Sequence, residues 1–378
     1  MKSAQISLQA VDQIRAEQLQ TLASLEPHLL IVFGSSAVFR HPELVERLRR
    51  NFPTAEIVGC STAGEICNDG AHDGSVLINA LHFEHPALRV ISTRLADMDD
   101  SFAAGERLGL ALKPSGVHTV LVFAPGTQIN GSLLIEGMRS QLGKAHIAGG
   151  LAGDGADFKQ TYTLHNMSIA SEQVVAVGLS SNRLNTGFGS YGGWKPFGPA
   201  RKVTRSQHNL LFELDGEPAL DVYKRYLGEH AERLPASGLL FPFSMLSESR
   251  AEVGVIRSIL AVDEEQGALV LAGDVVENGF LQLMHASTDA LVDGAVTAAE
   301  AAHVYGAGQG FALLVSCVGR KLVMGGRTDE EVDAVIEVLG SNNTYAGFHS
   351  YGEISPGNTQ KGCNLYNQTM TIAYLVEQ

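Results

Sequence analysis

The sequence predicts an α/β protein of repeated βαβ units, with mixed, largely parallel sheets arranged in two domains. Three observations carry this expectation. Three apolar runs end in polar or glycine turns, a segment with helical spacing follows each, and one acidic glycine turn recurs near both ends of the chain. The runs are HLLIVFGSS from His28, TVLVFAPGT from Thr119 and FALLVSCVG from Phe311. Each reads as a strand buried on both faces. The helices that follow are PELVERLRRNF from Pro42, SLLIEGMRSQL from Ser132 and TDEEVDAVIEVLG from Thr328. In the last, Thr328 and Glu331 have the spacing of a capping box, and Gly340 is a stop signal. A second strand then runs into glycine in AEIVGCSTAGEI, AHIAGGLAGDG and NTYAGFHSYGEI, the middle turn carrying Asp154 where the others carry Glu65 and Glu353. SVLINALHF, EQVVAVGLS and TMTIAYLVE complete three βαβ-turn-β units, whose parallel strands require helical crossovers.

The remaining segments have other textures. MKSAQISLQAVDQIRAEQLQTLASL has the apolar spacing of a helix and no apolar signal core. In residues 200–240, Asp215-Gly216 reads as a turn and Pro218 opens a short helix ending near Gly228. Residues 251–285 read as paired strands, followed by an alanine-rich helix from about Asp289 to His303. A length of 378 residues fits about two or three domains. The change of texture places a division at residues 1–190 and 191–378.

Composition narrows the function. With 27 Lys plus Arg against 41 Asp plus Glu, the formal charge is -14, the wrong sign for nucleic acid or an anionic membrane surface. Neither is an expected partner. The 45% hydrophobic content, with no stretch of spanning length, fits a cytoplasmic globular protein. Cys60, Cys67, Cys317 and Cys363 form no CxxC pair and are expected to stay reduced. Cys60, Cys67 and His72 fit no common zinc spacing, which favours small-residue packing around the turn.

The glycine turns are the candidate site. Glycine admits positive φ and close approach of a ligand to backbone N–H groups, while a carboxylate at the turn can fix an amine or hydroxyl. Ser61, Thr62, Glu65, Asp154, Ser350, Tyr351 and Glu353 are therefore candidate ligand-binding residues at the carboxyl ends of parallel strands. The alternative is structural: glycine for tight packing and the acids for capping backbone amides. Trp194, the sole tryptophan, lies with Phe188, Tyr191 and Phe197 in a glycine-rich segment and is a candidate pocket wall. GFGSYG, from Gly187, matches GxGxxG by letter but runs into Gly-Trp-Lys-Pro where a dinucleotide fold needs a helix. Ser61 and Ser350 miss the spacing of a nucleophile elbow.

GCSTAGEI, IAGGLAGD, KPFGPARKVTRSQHNLLFELDGEPALDVYKRYLG, GFHSYGEISP and CNLYNQTMTI together resemble the FIST sensory proteins, over nearly the whole chain. The resemblance implies a FIST N-terminal domain over 1–190, a FIST C-terminal domain over 191–378, and a bacterial signal-input module rather than an enzyme. No output domain fits beside the two regions. The chain looks like the NosP-type haemoproteins, which sense nitric oxide and regulate a separate histidine kinase. That reading implies haem as cofactor and a histidine kinase or cyclase as partner. His349, where the family more often has an aromatic residue, is the first candidate axial ligand, and His165 is the second. Tyr366 stands where the family often has His before the Asn-Gln-Thr run. A haem-free sensor of a small metabolite such as an amino acid is the alternative. An enzyme acting on a small polar substrate is the alternative of another class, and homo-oligomerisation is left open.

Overall fold

The computed structural model describes residues 1–247, 249–250, 252–304, 309–357 and 362–378. The first unit comprises β1 (Lys2–Leu8), α1 (Ala16–Ala23), β2 (Leu29–Gly34), α2 (Ser36–Phe39), α3 (Leu44–Asn51), β3 (Glu56–Ser61), β4 (Glu65–Cys67), β5 (Gly70–His72) and β6 (Val76–His82). The second comprises β7 (Leu88–Arg94), α4 (Ser101–Leu112), β8 (Thr119–Ala124), α5 (Gly131–Leu142), β9 (His146–Leu151), β10 (Thr163–His165), β11 (Ser168–Ala170) and β12 (Gln173–Leu179).

After β13 (Leu184–Tyr191) the chain enters an all-antiparallel region around α6 (Ala219–Leu227). Its nine strands are β14 (Lys195–Pro196), β15 (Arg201–Gln207), β16 (Leu210–Leu214), β17 (Glu217–Pro218), β18 (Phe243–Leu246), β19 (Glu252–Arg257), β20 (Ile259–Asp263), β21 (Ala268–Leu271) and β22 (Phe280–His285). The third unit follows with α7 (Thr288–Ala302), β23 (Phe311–Cys317), α8 (Val318–Met324), α9 (Asp329–Leu339), β24 (Thr344–Ser350), β25 (Gly352–Pro356), β26 (Cys363–Tyr366) and β27 (Met370–Glu377). The expected division after residue 190 thus falls at the end of β13, where the chain leaves the three-unit body before returning to it.

The three units build three six-stranded sheets of one plan, β1-β6-β2-β3-β10-β11, β7-β12-β8-β9-β25-β26 and β13-β27-β23-β24-β4-β5. The α/β class and the repeated βαβ unit are borne out. In each sheet the parallel pair is the central one, β2 with β3, β8 with β9, or β23 with β24, because the helical crossover joins only those two strands. The short strands after each glycine turn do not stay with their own unit. β4 and β5 extend the third sheet, β10 and β11 the first, and β25 and β26 the second. Each unit covers its neighbour's edge, so the exchange runs in a closed ring.

Inward faces of all three sheets share one core, in which Phe33, Phe123 and Phe348 form a triangle of rings 4.9 to 6.4 Å apart. Outward faces pack under separate helical layers. Gly59, Gly149 and Gly347 occupy equivalent positions in the second strands, opposite Val32, Val122 and Leu314. A Cβ at each would lie 1.8, 2.0 and 1.7 Å from that partner's carbonyl oxygen. No side chain fits there, and this is why the glycine is written three times.

Local signals were overridden in several places. The N-terminal segment begins as β1, paired from Lys2↔His82 to Leu8↔Val76, and only Ala16–Ala23 is α-helical. Covering an exposed edge of the first sheet outweighs the helical spacing. Thr328 is already in helical conformation and its hydroxyl donates to Gly325 O, so the capping box does not form. Glu331 is instead consumed by the core. All but the last glycine of GFGSYG lies in β13, where a Cβ at Gly187 or Gly189 would meet Ala302 O or Ala298 O of α7 at 1.9 Å, so these two glycines serve helix-to-strand packing. The strands expected over 251–285 are present from Glu252 onward, and position 251 lies outside the described residues.

Gly149→Ala should therefore cost about 2–3 kcal/mol through forced displacement of β8 from β9. Gly326, which has open space around it and no positive φ, is the control. Urea denaturation should show a lowered midpoint for Gly149→Ala and one close to wild type for Gly326→Ala.

Candidate functional site

The three glycine turns meet at one end of the body. The Gly153 and Gly155 amides donate to Ser61 O and Thr62 O at 2.9 and 3.1 Å, joining the second turn to the first. Ala63 N donates to His349 O at 2.9 Å and His349 N to Gly64 O at 2.8 Å, joining the first to the third. Tyr351 N donates to Leu151 O at 3.2 Å and closes the ring. The repeat places the turns, and backbone hydrogen bonds lock them together.

The candidate carboxylates face inward. Glu65 accepts from the Thr62 hydroxyl on one oxygen and from Ser75 N and Oγ, both at 2.8 Å, on the other. Glu353 accepts from Ser350 Oγ at 2.7 Å and from Thr369 N and Oγ1, both at 3.0 Å. Both glutamates are fully buried, and each ties a turn to the start of its unit's last strand. Asp154 accepts from the amides of Phe158, Lys159 and Gln160 at 2.8 to 2.9 Å and from the Tyr351 hydroxyl. Ser61 Oγ donates to Gly153 O at 2.7 Å and accepts from Tyr162 N at 2.9 Å. Among these candidates, Thr62, Glu65 and Asp154 line a cleft of about 500 Å³ with Arg40, Asp73 and Lys159.

Burial raises the pKa of Glu65, and burial pushes that of Glu353 up to about 8 against the pull of its three donors. Burial and the neighbouring Asp154 both raise the Tyr351 phenol. Gly64 has φ 132°, the glycine-favouring conformation, whereas Gly352 does not and is confined by Leu151 and Leu365. The expectation of positive φ holds for the first of these glycines and not for the second.

His349 is fully buried on β24, beneath α8 and α9. Its Nε2 lies 3.6 Å from Glu331 Oε1, and a Cβ on Gly64 would sit 3.0 Å from its Nδ1. Among the described residues neither ring nitrogen has a hydrogen-bond partner. The layer above the ring is ionic: Arg320 donates to Glu331 at 2.8 and 3.1 Å, and to Gly192 O and Leu291 O. Burial pushes Glu331 up, but Arg320, His349 and Ser316 together hold it down at about 2. Haem needs a large apolar slot beside its ligand. At His349 a macrocycle would have to displace this buried ion pair, so the residues do not fit it. At His165 on β10, Nδ1 is 2.8 Å from Ser92 Oγ and Nε2 is 3.8 Å from Glu56. That imidazole bridges two sheets through polar partners, and it does not fit either.

Trp194 closes a small core with Met284, Leu291 and Met324, and its Nε1 donates to Gln368 O at 2.9 Å. It is packing rather than pocket wall. A second cleft, of about 320 Å³, separates the body from the nine-stranded region. Ile129, Phe158, Tyr351 and Leu365 form one side, and Leu210, Leu260 and Leu271 contribute to the other. Asn130 Nδ2 donates to Asp274 Oδ1 at 3.3 Å across it, and Arg257 Nη1 donates to Leu365 O at 3.3 Å. Of these residues sequence reasoning reached Tyr351 alone. Asn130 carried one legible signal, as the N-cap whose side chain accepts from Leu133 N.

The sequence that builds this body places it in a sensory class. The chain belongs to the FIST family: residues 28–217 match the FIST N domain and residues 219–356 the FIST C domain. FIST domains are signal-transduction sensor domains that bind small ligands. The two matches meet inside the nine-stranded region, so they divide the sequence and not the fold. An uncharacterised protein of Methanocaldococcus jannaschii is 21% identical over 281 residues, 68% of this chain and 54% of that protein. The chain thus spans about half the length of that relative. A crystal structure of cyanuric acid hydrolase from A. caulinodans aligns over 100% of this chain and 98% of its own at 10% identity, with a TM-score of 0.37. That likeness is too slight to bear on fold or chemistry. No helix among the described residues is long and apolar enough to cross a membrane.

A glutamate whose pKa is raised on folding binds its proton more tightly in the native state, so its contribution to stability falls as pH rises from the unfolded value to the folded one. For Glu353 that window runs from about 4.5 to about 8. Comparing urea unfolding of wild type and Glu353→Gln should show the difference moving in the variant's favour between pH 5 and pH 8, by up to about 4 kcal/mol.

Proposed function

We propose that this protein senses a small organic ligand, held in the cleft between the three-unit body and the nine-stranded region, and signals by altering how those two parts sit together. The observation that carries this reading is the make-up of the cleft: apolar walls, a few convergent polar groups, and a position between two separately folded parts. A ligand there touches both sides, so its affinity depends on their arrangement, which is the condition for shifting a conformational equilibrium. Tyr351 connects the cleft to the interlocked turns through Asp154 and stacks on Phe158 at 4.1 Å. The family resemblance supplies the partner class, a histidine kinase or cyclase read out by contact. The reading takes a metabolite in place of haem because His349 is enclosed beside the buried Arg320–Glu331 pair and His165 is engaged by Ser92 and Glu56.

The test is a metabolite panel screened by thermal shift. A ligand at 100 times its Kd should stabilise the protein by about 2.7 kcal/mol. Leu260→Trp, at the exposed rim, should abolish that stabilisation while leaving the ligand-free Tm close to wild type. Stabilisation that survives Leu260→Trp but is lost in Arg40→Ala would move the site to the other cleft. A Soret band after haemin titration, abolished by His349→Ala or His165→Ala, would restore the haem reading.

A further inference from the structure

The hairpin exchanged into the third sheet brings together a donor set that sequence spacing did not suggest. Cys67 pairs with Gly70 and Glu65 with His72, leaving Asn68 and Asp69 at the turn. Cys67 Sγ lies 2.8 Å from Asp69 Oδ1, and His72 Nε2 lies 3.1 Å from the same oxygen. All three donor atoms are within 4.8 Å of one another. Cys67 is buried at the base, while the side chains of Asp69 and His72 are 77% and 36% exposed.

The surroundings hold the hairpin in place. Asn68 Nδ2 donates to Asn343 O at 3.2 Å and its Oδ1 accepts from Tyr345 N at 2.9 Å. Ala71 N donates to Asp329 Oδ1 at 2.7 Å. These bonds run from the first unit to the third, so the turn is anchored by groups distant in sequence. Cys60 lies on β3 in the shared core and takes no part.

We propose that Cys67, Asp69 and His72 form a three-donor site for a borderline-soft divalent cation, Zn²⁺ foremost, with a fourth position open to water. Thiolate, imidazole and carboxylate on one ion are the zinc donor set, and three protein ligands leave such an ion an exchangeable position. With metal–donor bonds of about 2.0 to 2.3 Å, tetrahedral coordination spaces the donors by roughly 3.3 to 3.6 Å. The two spacings to Asp69 fall a few tenths of an ångström short of that range and the third lies within 4.8 Å, so binding requires a small opening that the exposed Asp69 and His72 can make. A thiol binds the metal as thiolate and must lose its proton to do so. Loading therefore transfers the thiol proton to solvent, and affinity rises with pH. The site lies apart from the ligand cleft and stands independently of the sensor reading.

Co²⁺ is the spectroscopic probe. Titration of the full chain should produce a thiolate-to-cobalt charge-transfer band in the near ultraviolet that saturates at one equivalent and is removed by Zn²⁺. Cys67→Ser should abolish the band. His72→Ala and Asp69→Asn, changed at exposed side chains that the fold tolerates, should each weaken Co²⁺ binding about tenfold or more. Absence of the band in wild type, its persistence in Cys67→Ser, or affinities unchanged in both exposed-site variants would overturn the assignment.

Discussion

The structure depends on a closed exchange of strands among three units. Each second strand, β3, β9 or β24, would present an open row of backbone donors and acceptors if its unit folded alone. The neighbouring unit covers it with the strands that follow its own glycine turn. No unit completes its sheet without the others. The same geometry forces the glycine turns to one end of the body, because each turn is the point at which the chain crosses to the next sheet.

Crossing points make heavy demands on polar groups, and the acidic turn meets them. Glu65 and Glu353 use one oxygen on the hydroxyl three residues earlier and the other on the amide and hydroxyl of Ser75 or Thr369, directly before β6 or β27. In the second unit the register puts Gln173 at the position of Ser75 and Thr369, and its side-chain oxygen accepts from Ser168 Oγ at 3.2 Å. Asp154 serves its own loop and the Tyr351 hydroxyl instead. The repeated motif is thus first a cap, and any ligand chemistry at this end works against carboxylates already supplied with donors.

Function is drawn toward the boundaries between parts. The apolar cleft lies where the nine-stranded region meets the body, and the hairpin with Cys67, Asp69 and His72 lies where the first unit meets the third. The interior is closed by contrast. Arg320 and Glu331 form a buried ion pair whose hydrogen bonds hold α8, α9 and Gly192 together, leaving His349 enclosed. Removing one member would leave an uncompensated buried charge, a cost of about 3–5 kcal/mol.

The sequence by itself determined the local units: apolar runs of strand length, amphipathic helices between them, Pro218 and Gly228 bounding α6, and the equivalence of the GCSTAGEI and GFHSYGEI turns. These are readable because period, caps and turn residues act over a few neighbours. Tertiary structure alone decided that the strands after each turn join another unit, because that pairing is set by which edges remain open after collapse. It also decided that Lys2 to Leu8 is an edge strand, that Glu331 answers Arg320 in place of capping a helix, and that Trp194 fills a core. The candidate site divides the same way. Thr62, Glu65, Asp154, Tyr351 and Glu353 were legible as turn residues, but the pairing of Tyr351 with Asp154, the Thr369 partner of Glu353, and the opposite wall from the nine-stranded region come from segments with no local link to them. Long-range pairing brings them together, and no window of neighbouring residues encodes it.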